Sequence, residues 1–104
     1  MIKKNMKKFL SPLAIQEIVY LRAEKNYTNI YFKNGTFSRV SINLGKIESE
    51  YCKNLELKRM HLSYMVNINY ILNVFPIEGF MKLYNNTVIP INSKYAENFA
   101  QIPN

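Results

Sequence analysis

Short runs of β-branched and aromatic residues alternate with tight polar breaks along this chain, a rhythm that predicts strands joined by hairpins. Glu17-Ile18-Val19-Tyr20-Leu21-Arg22 is apolar between its charged ends and predicts a largely buried strand. Tyr27 to Lys33 predicts a second strand running into Asn34-Gly35, and Thr36 to Ile42 a third. Asn-Gly tolerates the two positive φ angles of a type I′ turn, so a two-residue hairpin is expected here, with Phe32 opposite Phe37. Asn43 then caps a helix of about two turns, with Leu44, Ile47 and Tyr51 on one face and Gly45 weakening it. From Lys53 to Arg59 the chain is polar and basic. Asparagines interrupt Met60 to Asn69, which predicts a loop with a short helical turn. Tyr70 to Ile77 predicts another strand, Gly79 a bulge or turn, and Phe80 to Tyr84 a partner for Thr87 to Ile91 across Asn85-Asn86. Pro90 has no N–H for a ladder, so that strand ends there or lies on an edge. Ser93 caps a final helix whose Tyr95, Phe99 and Ile102 make an apolar stripe. The fold class expected is mainly β: short antiparallel sheets built from hairpins, with one or two short helices.

The chain has 104 residues, enough for one small domain, read here as a basic arm and first strand over 1–11 and a body over 12–104. With 48% hydrophobic and 20% charged residues, disorder is not expected. No apolar run approaches the roughly 20 residues of a membrane-spanning helix. The basic N-terminus lacks the apolar stretch of a secretory signal, and the single Cys52 cannot form an internal disulfide. A cytoplasmic protein with no membrane partner is therefore expected. Charge changes the picture further. Fourteen Lys and Arg face seven Asp and Glu, for a net +7; Lys3, Lys4, Lys7 and Lys8 crowd the arm, leaving the body mildly basic. Such a balance points to a nucleic acid or an anionic surface as partner.

Catalytic chemistry finds little support. Cys52 and His61 are the sole candidates for a nucleophile–base pair and have no evident third group to orient the base; Cys52 reads as a small buried apolar residue. One Cys and one His match no zinc pattern. Gly35, Gly45 and Gly79 are too scattered for a phosphate loop, and Glu48 and Glu50 face different ways on a helix. The expectation is a binding protein rather than an enzyme, with no metal and no cofactor.

The order of features narrows the class. An Ile18 to Glu24 strand precedes Lys25-Asn26-Tyr27 and a hairpin; an amphipathic helix leads to Arg59-Met60-His61-Leu62-Ser63-Tyr64-Met65-Val66-Asn67; a last hairpin leads to Ile89-Pro90-Ile91-Asn92-Ser93-Lys94-Tyr95. From about Pro12 to Ile102 this resembles the LytTR DNA-binding domain, the output module of many bacterial response regulators. The resemblance implies double-stranded DNA as partner, read by loops in successive major grooves of a repeated site. It also implies pairing as a homodimer on DNA, and a receiver domain or signalling partner outside this chain. It puts forward Lys25 and Asn26 in one loop, Asn92, Ser93 and Lys94 in another, and Arg59, His61, Leu62 and Ser63 in a third.

Local chemistry agrees: an Asn amide suits adenine and a Lys ammonium suits guanine, while Arg59 would contact phosphate and Ser93 would leave N–H groups free for one. Each residue has a plainer reading. Asn26 is also an ordinary turn residue, His61 also a loop-shaping hydrogen-bond partner, Arg59 also a solvated charge, and Lys94 also a first-turn residue; Asn67 reads as structural. Leu62 replaces a residue that is often polar in relatives, and either touches a thymine methyl or packs inward. A non-specific or single-stranded nucleic-acid-binding β domain is the alternative, kept open by eight Tyr and six Phe.

Overall fold

The computed structural model describes residues 6–52, 56–100 and 102, and the backbone of residues 2–3. Six strands form one sheet: β1 (Ile2–Lys3), β2 (Ile18–Glu24), β3 (Tyr27–Phe32), β4 (Phe37–Val40), β5 (Leu57–His61) and β6 (Tyr64–Asn67), in the order β1-β4-β3-β2-β6-β5. A second sheet runs β7 (Ile71–Phe75), β8 (Phe80–Leu83), β9 (Val88–Pro90) in sequence order. All pairings are antiparallel except that of the two-residue β1 with β4. Helices are short: α1 (Pro12–Ile15), α2 (Leu44–Tyr51) and three 3-10 segments, Lys7–Phe9, Ile68–Tyr70 and Ser93–Asn98. The mainly β class is as expected.

The six-stranded sheet is covered on both faces. On one, Ile18, Leu21, Ile30, Val40 and Met65 meet Leu44 and Ile47 of α2, with Met6 and Phe9 of the N-terminal segment. On the other, Val19, Met60 and Val66 meet Val74, Met81, Leu83 and Ile89 of the second sheet, closed by Phe99. A strand buried on both sides loses its polar alternation, which is why Ile18 to Leu21 reads as a continuous apolar run. A bulge between Ile18 and Tyr20 lets Ile18 and Leu21, three positions apart, share a face. Asn43 caps α2 as expected, its Oδ1 accepting the Lys46 N–H at 2.8 Å.

Several local expectations are corrected. The Asn34-Gly35 hairpin forms, but with a three-residue loop: Gly35 N–H donates to Phe32 O at 3.0 Å, Phe32 N–H donates to Thr36 O at 2.9 Å, and Gly35 alone takes a positive φ, +90°. A type I-like turn closed by a left-handed residue replaces the type I′ turn. The extra residue shifts the register by one, so Tyr31, not Phe32, stands opposite Phe37. The β8–β9 loop repeats this design, with Asn86 at φ +68° and Asn34 and Asn85 each accepting the N–H two residues on.

The expected loop over Met60 to Asn69 is largely the β5–β6 hairpin; a bulge between Arg59 and His61 and a buried, fully bonded Asn67 break the alternation that would have revealed it. Lys7 and Lys8 sit in a 3-10 turn anchored by buried Met6 and Phe9. Lys4 and the Lys3 side chain lie outside the described residues. Pro90 does end an edge strand. The final helix is a 3-10 segment kinked at Tyr95 and capped by Asn92, not by Ser93.

Candidate nucleic-acid interface

Three segments distant in sequence reach one end of the six-stranded sheet. The first is the β2–β3 turn. Glu24 pairs with Tyr27, so only Lys25 and Asn26 turn the chain, and both are exposed. Lys25 has φ +56° while Asn26 does not share the positive sign, which is the sign pattern of a type II′ turn. Glycine normally takes that first position; a side chain there costs about 1–2 kcal/mol.

The second segment is the β5–β6 turn. Pairing of β2 with β6 sets Arg22 opposite Tyr64, and the Ala23 N–H donates to Ser63 O at 2.8 Å, so Leu62-Ser63 lies beside Lys25-Asn26. Leu62 is 56% exposed and points away from the core, which removes the inward-packing alternative. His61 is half-buried: its Nδ1 accepts the Ser63 N–H at 3.1 Å and its ring meets Tyr64 edge-on. Acceptance at Nδ1 puts the proton of the neutral ring on Nε2. The third segment follows β9. The Asn92 N–H donates to Met60 O at 2.9 Å, which fastens Asn92, Ser93 and Lys94 beside the end of β5. Asn92 Oδ1 accepts the Lys94 N–H, so the free N–H groups expected beside a Ser93 cap are reduced by one. Ser93 and Lys94 are exposed.

One buried side chain braces two of these segments. Arg59 is only 9% exposed. Its Nε donates to His61 O at 2.9 Å and its Nη2 to Leu62 O at 2.5 Å, which fixes the carbonyls that shape the turn. Its Nη1 pairs with Glu48 of α2 at 2.7 Å, and its guanidinium lies 5.5 Å from the Tyr95 ring centroid, next to Lys94. Asn98 Nδ2 adds a bond to Arg59 O at 2.8 Å. The solvated-charge reading of Arg59 is thereby corrected: the residue is interior, and its fork is occupied by protein oxygens.

The exposed charge at this end is mostly cationic. Lys25 lies in the first turn and Arg22 just before it, with Arg22 6.0 Å from the Tyr64 ring centroid, and Lys94 stands beside Tyr95. The nearby Glu24 carboxylate is met by Arg39 at 2.7 Å. Exposed Lys ammonium and Asn amide groups on rigid turns are suited to base edges in a major groove. Cys52 takes no part: burial foremost, then the Glu48 carboxylate, pushes its thiol up to about 11, so it is inert near neutrality. Sequence reasoning missed Arg22, Glu24, Asn29 and Arg39. The available signal was polar residues inside otherwise apolar strands, where the register makes Arg22, Asn29 and Arg39 cross-strand neighbours.

The family described as the LytTr DNA-binding domain matches residues 8–103. The chain belongs to that family; it is a DNA-binding domain of the kind that regulates transcription, and the family is not one of catalysts. Among solved structures, it is similar to the LytTr DNA-binding domain of a protein described as a methyl-accepting/DNA response regulator from Bacillus cereus. That similarity has a TM-score of 0.69 at 22% identity and covers 83% of this chain and 80% of the other. It establishes the shared fold. No curated protein matches the chain. Among the described residues, no helix is long and apolar enough to cross a membrane.

Proposed function

We propose that the chain reads the sequence of double-stranded DNA through the three segments gathered at this end: Lys25 and Asn26 in one major groove, Asn92, Ser93 and Lys94 in the next. The observation that carries this reading is the row itself, exposed polar tips on buried, hydrogen-bonded supports, with Leu62-Ser63 between the outer pair. His61 Nε2 and Ser63 meet the backbone between the grooves, and Leu62 offers an apolar contact to a thymine methyl. Arg59 acts by holding the Leu62-Ser63 turn rather than by touching phosphate. Two copies pair on a repeated site in the cytoplasm, under a receiver domain or another signalling partner. The match to a response-regulator domain supports that setting.

The single-strand alternative draws on an aromatic ladder, Phe37–Tyr31–Tyr20–Tyr64–His61, that crosses five strands. Those rings lean on one another, with Tyr20 and Tyr31 stacked at 4.4 Å, and Tyr20 and Tyr64 pack against the second core; bases need open ring faces instead. Fluorescence anisotropy with a labelled duplex and with each of its single strands, at about 50 and about 200 mM salt, separates the readings. Tighter binding to the duplex at both salts is expected. Preference for either single strand would contradict the proposal.

A further inference from the structure

Beside the first reading turn, three side chains from three adjacent strands close into a ring of hydrogen bonds. Asn29 of β3 donates through Nδ2 to Glu24 Oε2 of β2 at 2.9 Å. Arg39 of β4 donates through Nη2 to the same oxygen at 2.7 Å and through Nε to Asn29 Oδ1 at 2.9 Å. Asn29 is 4% exposed and commits both ends of its amide, and the Arg39 guanidinium also lies 5.6 Å from the Tyr27 ring centroid. Glu24 and Tyr27 are the last strand pair before the turn, so the ring grips the residue that precedes Lys25, the one non-glycine in this turn held at a positive φ.

We propose that the Glu24–Asn29–Arg39 ring is a positioning device that fixes the Lys25-Asn26 turn in its base-reading form and keeps the Glu24 carboxylate matched where phosphates approach. The inference rests on the DNA-reading role proposed above for that turn. Two properties follow from the geometry. Glu24 carries a negative charge on the cationic end of the molecule, and unpaired it would repel a phosphate backbone; Arg39 cancels it at contact distance. The bonds from Asn29, and next from Arg39, also hold the carboxyl below its ordinary range, so it stays ionised and the ring closed at neutral pH. The ring is also directional: it joins β2, β3 and β4 ahead of the turn, so a loosened ring frees the turn without opening either core. Glutamine at position 24 keeps an acceptor oxygen for Asn29 and Arg39, whereas alanine removes it.

The test uses the whole chain, with a duplex enriched by the wild-type protein from a random library and a shuffled duplex of the same composition. Glu24→Ala should lower the ratio of affinities for the two duplexes about tenfold, within the range one base-reading side chain supplies. Its affinity for the shuffled duplex should be equal or higher, and Glu24→Gln should restore most of the ratio. A Glu24→Ala ratio equal to the wild type, or an equal loss on both duplexes, overturns the inference. Amide hydrogen exchange of the free protein keeps the two claims apart: the Glu24 and Tyr27 amides, which pair across the turn, should exchange faster in Glu24→Ala while Leu21 and Ile30 do not. Unchanged exchange at the turn overturns the positioning role even if wild-type discrimination is strong. Faster exchange in a protein whose wild type enriches no duplex from the library upholds the coupling to the turn and fails the DNA-reading role.

Discussion

Two basic residues, Arg59 and Lys94, lie within one small region and should behave oppositely on mutation. Arg59 is interior, with its three guanidinium nitrogens bonded to Glu48, His61 O and Leu62 O, so Arg59→Ala should cost about 2–4 kcal/mol of folding stability. Denaturant unfolding measures that cost, and the salt slope of binding to a shuffled duplex should stay as in the wild type. Lys94 is exposed, so Lys94→Ala should leave the unfolding midpoint within error and lose about 1–3 kcal/mol on the preferred duplex. An Arg59→Ala protein of normal stability whose salt slope falls by about one would return Arg59 to phosphate contact. Cys52 makes a separate claim. Its thiol is raised from 9.0 to about 11 in the fold, so the neutral form is favoured there; the resulting stability is complete below pH 9.0 and lost as pH rises toward 11. Cys52→Ala should show a shallower fall in melting temperature across that window than the parent. Candidate tips were legible in the sequence because Lys-Asn and Asn-Ser-Lys are polar breaks between strands. Burial of Arg59 was not, since nothing in Lys58-Arg59-Met60 announces a cation turned inward toward a helix residue.

At the scale of elements, the two glycines on either side of β4 make contrasting predictions. Gly35 takes φ +90°, where any side chain is strained although nothing lies within 4 Å of an added Cβ, so Gly35→Ala should destabilise by about 1–2 kcal/mol. Gly45 has ordinary helical geometry and an added Cβ would meet only Asn43 Oδ1 at 3.6 Å, so Gly45→Ala should stabilise by up to about 0.5 kcal/mol. Thermal unfolding of the two variants reads both signs. Most strands were legible because β-branched runs bounded by turn residues have few other uses. The turn type of Asn34-Gly35 was not, because Asn-Gly also fits the last two positions of a three-residue loop, and one residue of loop length moves the whole register. The β5–β6 hairpin escaped for a related reason. A bulge in the edge strand β5, and in β6 a buried Asn67 that bonds Ile15 O and Ile18 O, erase the period-two signal of both strands.

The whole molecule is a six-stranded sheet packed on both faces, and that packing gives the end proposed to read DNA a rigid base. The two cores hold β2, β5 and β6 from opposite sides, so turns far apart in sequence keep a fixed spacing, as successive-groove recognition requires. Only long-range pairing brings Lys25 beside Ser63 and Asn92 beside Met60, which is why the resemblance of motifs named the residues while their arrangement had to come from the fold. The most direct test is one round of selection from a random duplex library at about physiological salt, sequencing what the purified protein retains. Two short half-sites about 10 bp apart should be enriched, because paired copies would occupy one face of the helix. Retention without any enriched sequence, lost on modest addition of salt, would leave only non-specific attraction to phosphates and contradict a sequence-reading role.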